Sequence, residues 1–158
     1  MSCRRPYLVR RSTRALGVVS PSRAGYSGTP LAKKLGIGEG SCVLPIDAPN
    51  DYRQLLAPVP MGVTFAKALS RRVDVLHLFV DRRGILERKL ALLRKRIRPN
   101  ATLWVSWPKQ ASGVPSDVNE TIIRSMALPM GFVDVKVCAV NEVWSGLKLV
   151  IRKEFRGS

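Results

Sequence analysis

The chain has 158 residues, 46% of them apolar, with 27 Lys and Arg against 11 Asp and Glu and a formal net charge of +16. That length predicts a single domain able to bury roughly two-thirds of its unfolded surface without disulfide support. No stretch approaches the ~20 apolar residues of a membrane span, and no hydrophobic signal core lies near the start.

Residues 1–24 hold Arg4, Arg5, Arg10, Arg11, Arg14 and Arg23 and no acid. The segment reads as a disordered basic arm. A transit peptide, or sequence upstream of the functional start, are the alternatives. Arg4, Arg5, Arg10, Arg11 and Arg14 would attract nucleic acid without sequence preference. An α/β domain is expected over 25–154, followed by a short tail at 155–158.

Within the domain, Thr29 and Pro30 open a short helix that Gly36 ends. Residues 41–46 form a first strand, in which Pro45 counts against a central position. Asp47–Asn50 is a loop, and Asn50 caps a helix running from Asp51 to about Leu56, broken by Pro58 and Pro60. Residues 63–66 are a weak second strand.

Residues 73–80 (VDVLHLFV) are nearly continuously apolar, as in a strand covered on both faces. Asp81 caps a long helix to about Arg98 with an apolar stripe of Ile85, Leu86, Leu90, Leu93 and Ile97. Residues 102–107 are a strand stopped by Pro108. A Gly/Ser/Pro loop follows at 109–115. Ser116 then caps a helix with Asp117 and Glu120 in its first turn and Val118, Ile122, Met126 and Leu128 along its apolar side. Strands at 133–140 and 145–151 are joined too tightly for a parallel return, so they pair antiparallel. The fold class expected is three-layer α/β, a mostly parallel sheet of about six strands with a C-terminal antiparallel strand.

Order and spacing over about 30–153 resemble a shortened Rossmann-like methyltransferase fold. The carriers are Ala32-Lys-Lys-Leu-Gly-Ile37 before the first strand, Val73-Asp-Val-Leu-His77, and the Gly131-Phe132 step before the terminal pair. That family carries a glycine-rich turn after its first strand, whereas Asp47-Ala-Pro-Asn50 has no glycine and Pro49 has no N–H. One strand–helix unit is also missing between Ala66 and Val73.

The chain is also similar to a bacterial family, domain of unknown function three thousand and fifty-two. The residues are Gly25 to Gly36, Leu103-Trp-Val-Ser-Trp-Pro-Lys109, Ala111-Ser-Gly-Val-Pro115, Val133 to Val140 and Trp144-Ser-Gly-Leu-Lys-Leu-Val150. This likeness implies a bacterial, cytoplasmic protein and brings no activity with it.

In open α/β sheets, ligands bind outside the carboxyl ends of the strands. The residues expected there as ligand contacts are Asp47, Asn50, Trp107, Lys109, Ser112, Gly113, Trp144 and Ser145. Lys109 beside a Gly/Ser loop that opens a helix suits an anion; packing of Trp107 and solvation of Lys109 is the plainer account. Trp144 reads as a pocket wall or a packing anchor, and Glu142 as a base or a solvated turn residue.

His77, the single histidine, is expected to be structural, so neither a Ser/His/Asp triad nor a zinc site is credible. The scattered Cys3, Cys42 and Cys138 point to free thiols in a reducing, cytoplasmic setting. With no glycine after the first strand, the function expected is a domain that binds a small anionic ligand or a partner without methyl transfer and without a cofactor. The alternatives are a divergent S-adenosylmethionine-dependent methyltransferase and a basic protein that associates nonspecifically with nucleic acid.

Overall fold

The computed structural model describes residues 29–156, so the basic arm, Cys3 and the last two residues lie outside the described chain. In chain order the elements are α1 (Leu31–Lys34), β1 (Cys42–Ile46), α2 (Tyr52–Leu56), β2 (Thr64–Phe65), β3 (Val75–Phe79), α3 (Arg83–Arg96), β4 (Thr102–Pro108), α4 (Glu120–Ala127), β5 (Phe132–Ala139) and β6 (Trp144–Ile151). The strands form one sheet in the order β2-β1-β3-β4-β6-β5. The first four are parallel, and β6 runs antiparallel between β4 and β5. The three-layer, mostly parallel architecture expected from the alternation of elements is therefore the observed one. No helix separates β2 from β3.

Side-chain alternation along the strands divides the core in two. Leu44, Leu76, Leu78, Leu103, Val105, Leu147 and Leu149 pack with Leu86, Leu90 and Leu93 of α3 and Ile123 and Ala127 of α4. On the other face, Val43, Val75, Phe79 and Trp104 pack with Ala32 and Leu35 near α1 and Tyr52 and Leu56 of α2. β3 is buried along its whole length, as its unbroken apolar run requires of a strand between two helical layers. Trp104 ties the second layer down, its indole N–H donating to the Leu35 carbonyl at 2.9 Å.

Pro45 lies in a central strand after all, opposite His77 of β3. Thr64 N donates to Ser41 O at 2.9 Å and Ala66 N to Val43 O at 2.7 Å, while Asp74 N donates to Cys42 O at 2.8 Å. Because one residue's N–H and C=O point the same way in a strand, the missing N–H of Pro45 falls on the β2 side. The β2 ladder has already ended at Val43 and Phe65, so no bond is lost.

Four caps differ from the sequence expectation, the first at α1, where Pro30 and not Thr29 holds the N-cap position. Asn50 does not cap α2; its N-cap position is Asp51, with no side-chain bond. Asp81 does not cap α3. The Arg83 N–H donates instead to the Asp117 carboxylate at 2.7 Å, a partner 34 residues away. Ser116 does not open α4, because its hydroxyl accepts from the Val118 N–H at 3.0 Å in a local turn. Asn119 is the cap, accepting from the Ile122 N–H at 2.9 Å. The later start turns Ile123 and Ala127 into the core, with Ile122 and Met126 only flanking it.

Candidate functional site

Strand order reverses around β1, whose two neighbours are reached by crossings in opposite directions, so the carboxyl ends of β1 and β3 form the switch point. Three local features shape that mouth. Asp47 at the tip of β1 has φ of 56°, the left-handed turn more often given to glycine. Its carboxylate lies 3.9 Å from Lys89 of α3, an exposed pair across the layers. Between α2 and the ends of β1 and β2 opens a cleft of about 580 Å³, within the range of small-molecule sites. Its polar lining is Asn50, Arg53, Gln54 and Lys67, and its aromatic walls are Tyr52 and Phe65. The Arg53 guanidinium sits 4.4 Å from the Phe65 ring centre.

A buried polar relay underlies the cleft. His77 and Ser106 are both fully buried. Tyr52 Oη lies 2.9 Å from His77 Nδ1, and His77 Nε2 lies 2.6 Å from Ser106 Oγ. Tyr O–H donating to Nδ1 and Nε2–H donating to Ser106 satisfies a neutral ring at both nitrogens. Burial pushes the imidazole down from 6.5 to about 3 and raises the Tyr52 hydroxyl well above its ordinary value, so both are neutral near pH 7. Phe79 stacks on His77 at 4.2 Å and meets Trp144 edge to face at 5.0 Å. An aromatic row thus runs from α2 across β3 to β6 beneath the mouth.

The residues expected as ligand contacts do share this end of the molecule. Pro108 pairs with Trp144, and Lys109 N donates to Val143 O at 2.7 Å. They divide, however, among separate depressions. Asn50 lines the α2 cleft, whereas the Asp47 carboxylate pairs with Lys89 of α3 in the other helical layer. Trp107 and Gly113 line a second hollow of about 630 Å³ beside the start of α4. Ser145 lines a groove of about 670 Å³ with Lys33, Lys34 and Lys136.

Trp107 is itself core, packed on the α3/α4 side, and Trp144 packs against the α1/α2 side. The Ser112 hydroxyl donates to the Lys109 carbonyl at 2.6 Å, inside its own 3-10 turn, and Gly113 closes that turn at φ of 78°. The loop does not open directly onto a helix, since residues 116–119 intervene. Tyr52, Arg53, Gln54, Phe65 and Lys67 are not among the residues expected from the sequence. Only the β1–β2 pairing brings Phe65 and Lys67 to α2.

His77 is the core histidine expected. Cys42 and Cys138 are unpaired and half-buried, and burial raises the Cys138 thiol. Among the described residues, no three His, Cys, Asp or Glu side chains gather to hold a metal ion, and no helix is long and apolar enough to cross a membrane.

No protein-family model matches the chain, and no curated protein matches it in sequence. Solved structures do match. A protein assigned as a type 11 methyltransferase from Sulfolobus solfataricus superposes with a TM-score of 0.56 at 10% identity, over 81% of this chain and 93% of that one. A SAM-dependent methyltransferase from Aquifex aeolicus gives 0.53 at 15% identity, over 77% and 87%. Magnesium protoporphyrin IX methyltransferase from Synechocystis PCC 6803, solved with bound SAM, gives 0.51 at 11% identity, over 78% and 74%.

At these identities the likeness establishes the fold: this is the Rossmann-like methyltransferase architecture. It also corrects the expected function. A binder of small anions or partners that performs no methyl transfer finds no support among these structures, and the methyltransferase alternative is the better-founded one.

Proposed function

We propose that the chain is a divergent S-adenosylmethionine-dependent methyltransferase that holds its cofactor at the mouth of the parallel strands, in the cleft between α2, β1 and β2. The observation that carries this reading is the sheet itself. Its order and its terminal antiparallel pair are those of the methyltransferase architecture, and a cleft of about 580 Å³ opens at the carboxyl ends of β1 and β2, on the other side of β1 from the switch point.

The residues present suit the group. Asn50 and Gln54 offer amides that both donate and accept, as ribose hydroxyls and an adenine edge require. Arg53 and Lys67 can receive a carboxylate. Tyr52 and Phe65 provide apolar walls. Asp47 supplies the left-handed turn that a glycine-rich loop would otherwise make. Pro49 contributes no N–H there, so the side-chain amides take more of the binding. When bound, the cofactor supplies a methyl group activated by positive sulfur.

The chain's own part is orientation. The His77–Ser106 relay fixes Tyr52, and Tyr52 fixes α2 against the sheet. The reading includes a cytoplasmic setting, supported by the two unpaired cysteines, and membership of the bacterial family named above, supported by the motifs that carry that likeness.

Thermal denaturation with S-adenosylmethionine or S-adenosylhomocysteine tests the proposal. Ligand at about a hundred times its Kd adds about 2.7 kcal/mol of stability, a rise of about 5–10 °C for a domain of this size. Asn50→Ala with Gln54→Ala should shrink that rise at fixed ligand concentration. A Tm unmoved by either compound at millimolar concentration overturns the reading.

A further inference from the structure

At the carboxyl mouth, where the parallel strands end, acids and bases are mixed. Asp47, Asp51, Asp81, Asp117 and Glu142 stand there with Arg53, Lys67, Arg82, Arg83 and Lys109 at or just beyond the strand ends. The opposite edge collects arginine and lysine from three distant segments. Arg71 and Arg72 precede β3, Lys95 and Arg96 end α3 just before β4, and Arg152 and Lys153 follow β6, which finishes at this edge because it is antiparallel.

All six are exposed. A hydrogen bond ties the chain after α3 to the segment before β3, and two others anchor the chain that follows β6. Arg98 donates to the Arg71 carbonyl at 3.4 Å, Arg152 N to Gly131 O at 2.8 Å, and Arg156 Nε to Ile151 O at 2.8 Å. Of the carboxylates here, Asp74 pairs with Arg98 and Asp134 with Arg124, which leaves Glu154 exposed among the cations.

Phe155 is the second observation. It is 53% exposed in a 3-10 turn of Lys153–Phe155, flanked by Arg152 and Arg156. Arg94, which donates to the Met130 carbonyl at 2.9 Å, has its guanidinium 5.7 Å from the Phe155 ring centre. An exposed aromatic ring amid arginines is the pairing that single-stranded nucleic acid uses, cations on phosphates and a ring under a base. Guanidinium forks suit phosphate oxygens in particular. A membrane surface would call for an amphipathic helix with several apolar anchors, and a three-residue turn with one ring is not that.

We propose that the edge of the sheet opposite the mouth is a docking surface for single-stranded nucleic acid, with Phe155 as its stacking platform. The inference is independent of methyl transfer, since none of its residues touches the cleft.

Fluorescence anisotropy of a labelled single-stranded RNA of about 20 nucleotides, long enough to span a single-strand site, measured with the full chain across a salt series, tests it. Replacing Arg71, Arg72, Lys95 and Arg96 with Gln, or Arg152 and Lys153 with Gln, should weaken binding and flatten the salt slope by about 0.7 for each phosphate no longer neutralised. Phe155→Ala should weaken binding about tenfold with the slope unchanged, and Phe155→Trp should restore it. The same effects should persist when Arg4, Arg5, Arg10, Arg11 and Arg14 are also Gln. An unchanged Tm in the edge variants distinguishes weakened docking from unfolding. The proposal is overturned if edge variants that keep their Tm bind RNA like the parent, if all binding disappears with the five N-terminal arginines, or if the chain binds phosphatidylserine vesicles and not RNA.

Discussion

His77 makes the stability of this domain depend on pH through a single side chain. In the folded chain the ring is sealed between Tyr52 and Ser106 and titrates at about 3, against 6.5 when exposed. Between those values the unfolded chain binds a proton that the folded chain refuses. The folded pKa is the lower one, so the stability contributed by the neutral ring is fully present above 6.5 and is lost as pH falls toward 3. Moving from pH 7 to pH 5 should therefore cost about 2 kcal/mol from this group alone, at 1.36 kcal/mol per unit within the window.

Urea denaturation at pH 7, 6 and 5 measures it, with His77→Gln as the reference that removes the titration and leaves the carboxylates in place. The variant should begin less stable, by about 1–3 kcal/mol for buried hydroxyls left without a partner, and should lose about 2 kcal/mol less than the parent on acidification. Because the chain has one histidine, its imidazole NMR signals report the folded pKa directly. A native ring that titrates near 6.5, or equal losses in parent and variant, would refute the argument.

Other consequences follow from the packing. A Cβ at Gly146 would stand 3.2 Å from Ser106 Oγ and from Trp104 Cε3, so Gly146→Ala should cost about 1–3 kcal/mol by overpacking, read as a lower urea midpoint at constant m. Asp47→Gly should hold or raise Tm, since glycine adopts φ of 56° without strain, whereas Asp47→Val should lower stability by about 1–2 kcal/mol. Asn119→Ala removes the cap on the Ile122 N–H and should cost about 1 kcal/mol. Leu90→Ala, in the centre of the α3 stripe and fully buried, should cost about 2–5 kcal/mol; a loss below 1 kcal/mol in denaturant melts would mean that α3 is not packed as described.

The aromatic floor shows why the mouth was only half visible from residue order. Tyr52, His77, Phe79, Ser106 and Trp144 come from four elements, and each looks like ordinary core in its own segment. Parallel register sets Pro45 beside His77 and His77 beside Trp104, and alternation then turns His77 and Ser106 to one face. Lys109 and Trp144 could be placed at one end in advance, because a short connection forces β5 and β6 to pair. That Asn50, Trp107 with Gly113, and Ser145 line three different hollows depends on side-chain direction at strand ends, and Ser112 commits its hydroxyl to its own loop.

The amino-acid order by itself determined the elements and their alternation. Hydrophobic period marked β3 and α3, glycine and proline marked the turns, and a connection too short for a crossover made the last pair antiparallel. These are local properties, set by a few neighbouring residues. Only the tertiary structure decided which strands adjoin, that Asp117 caps a helix 34 residues before it in sequence, and that three separate basic segments meet at one edge. Those outcomes turn on contacts between residues remote in sequence, and they exist only once both layers have closed on the sheet.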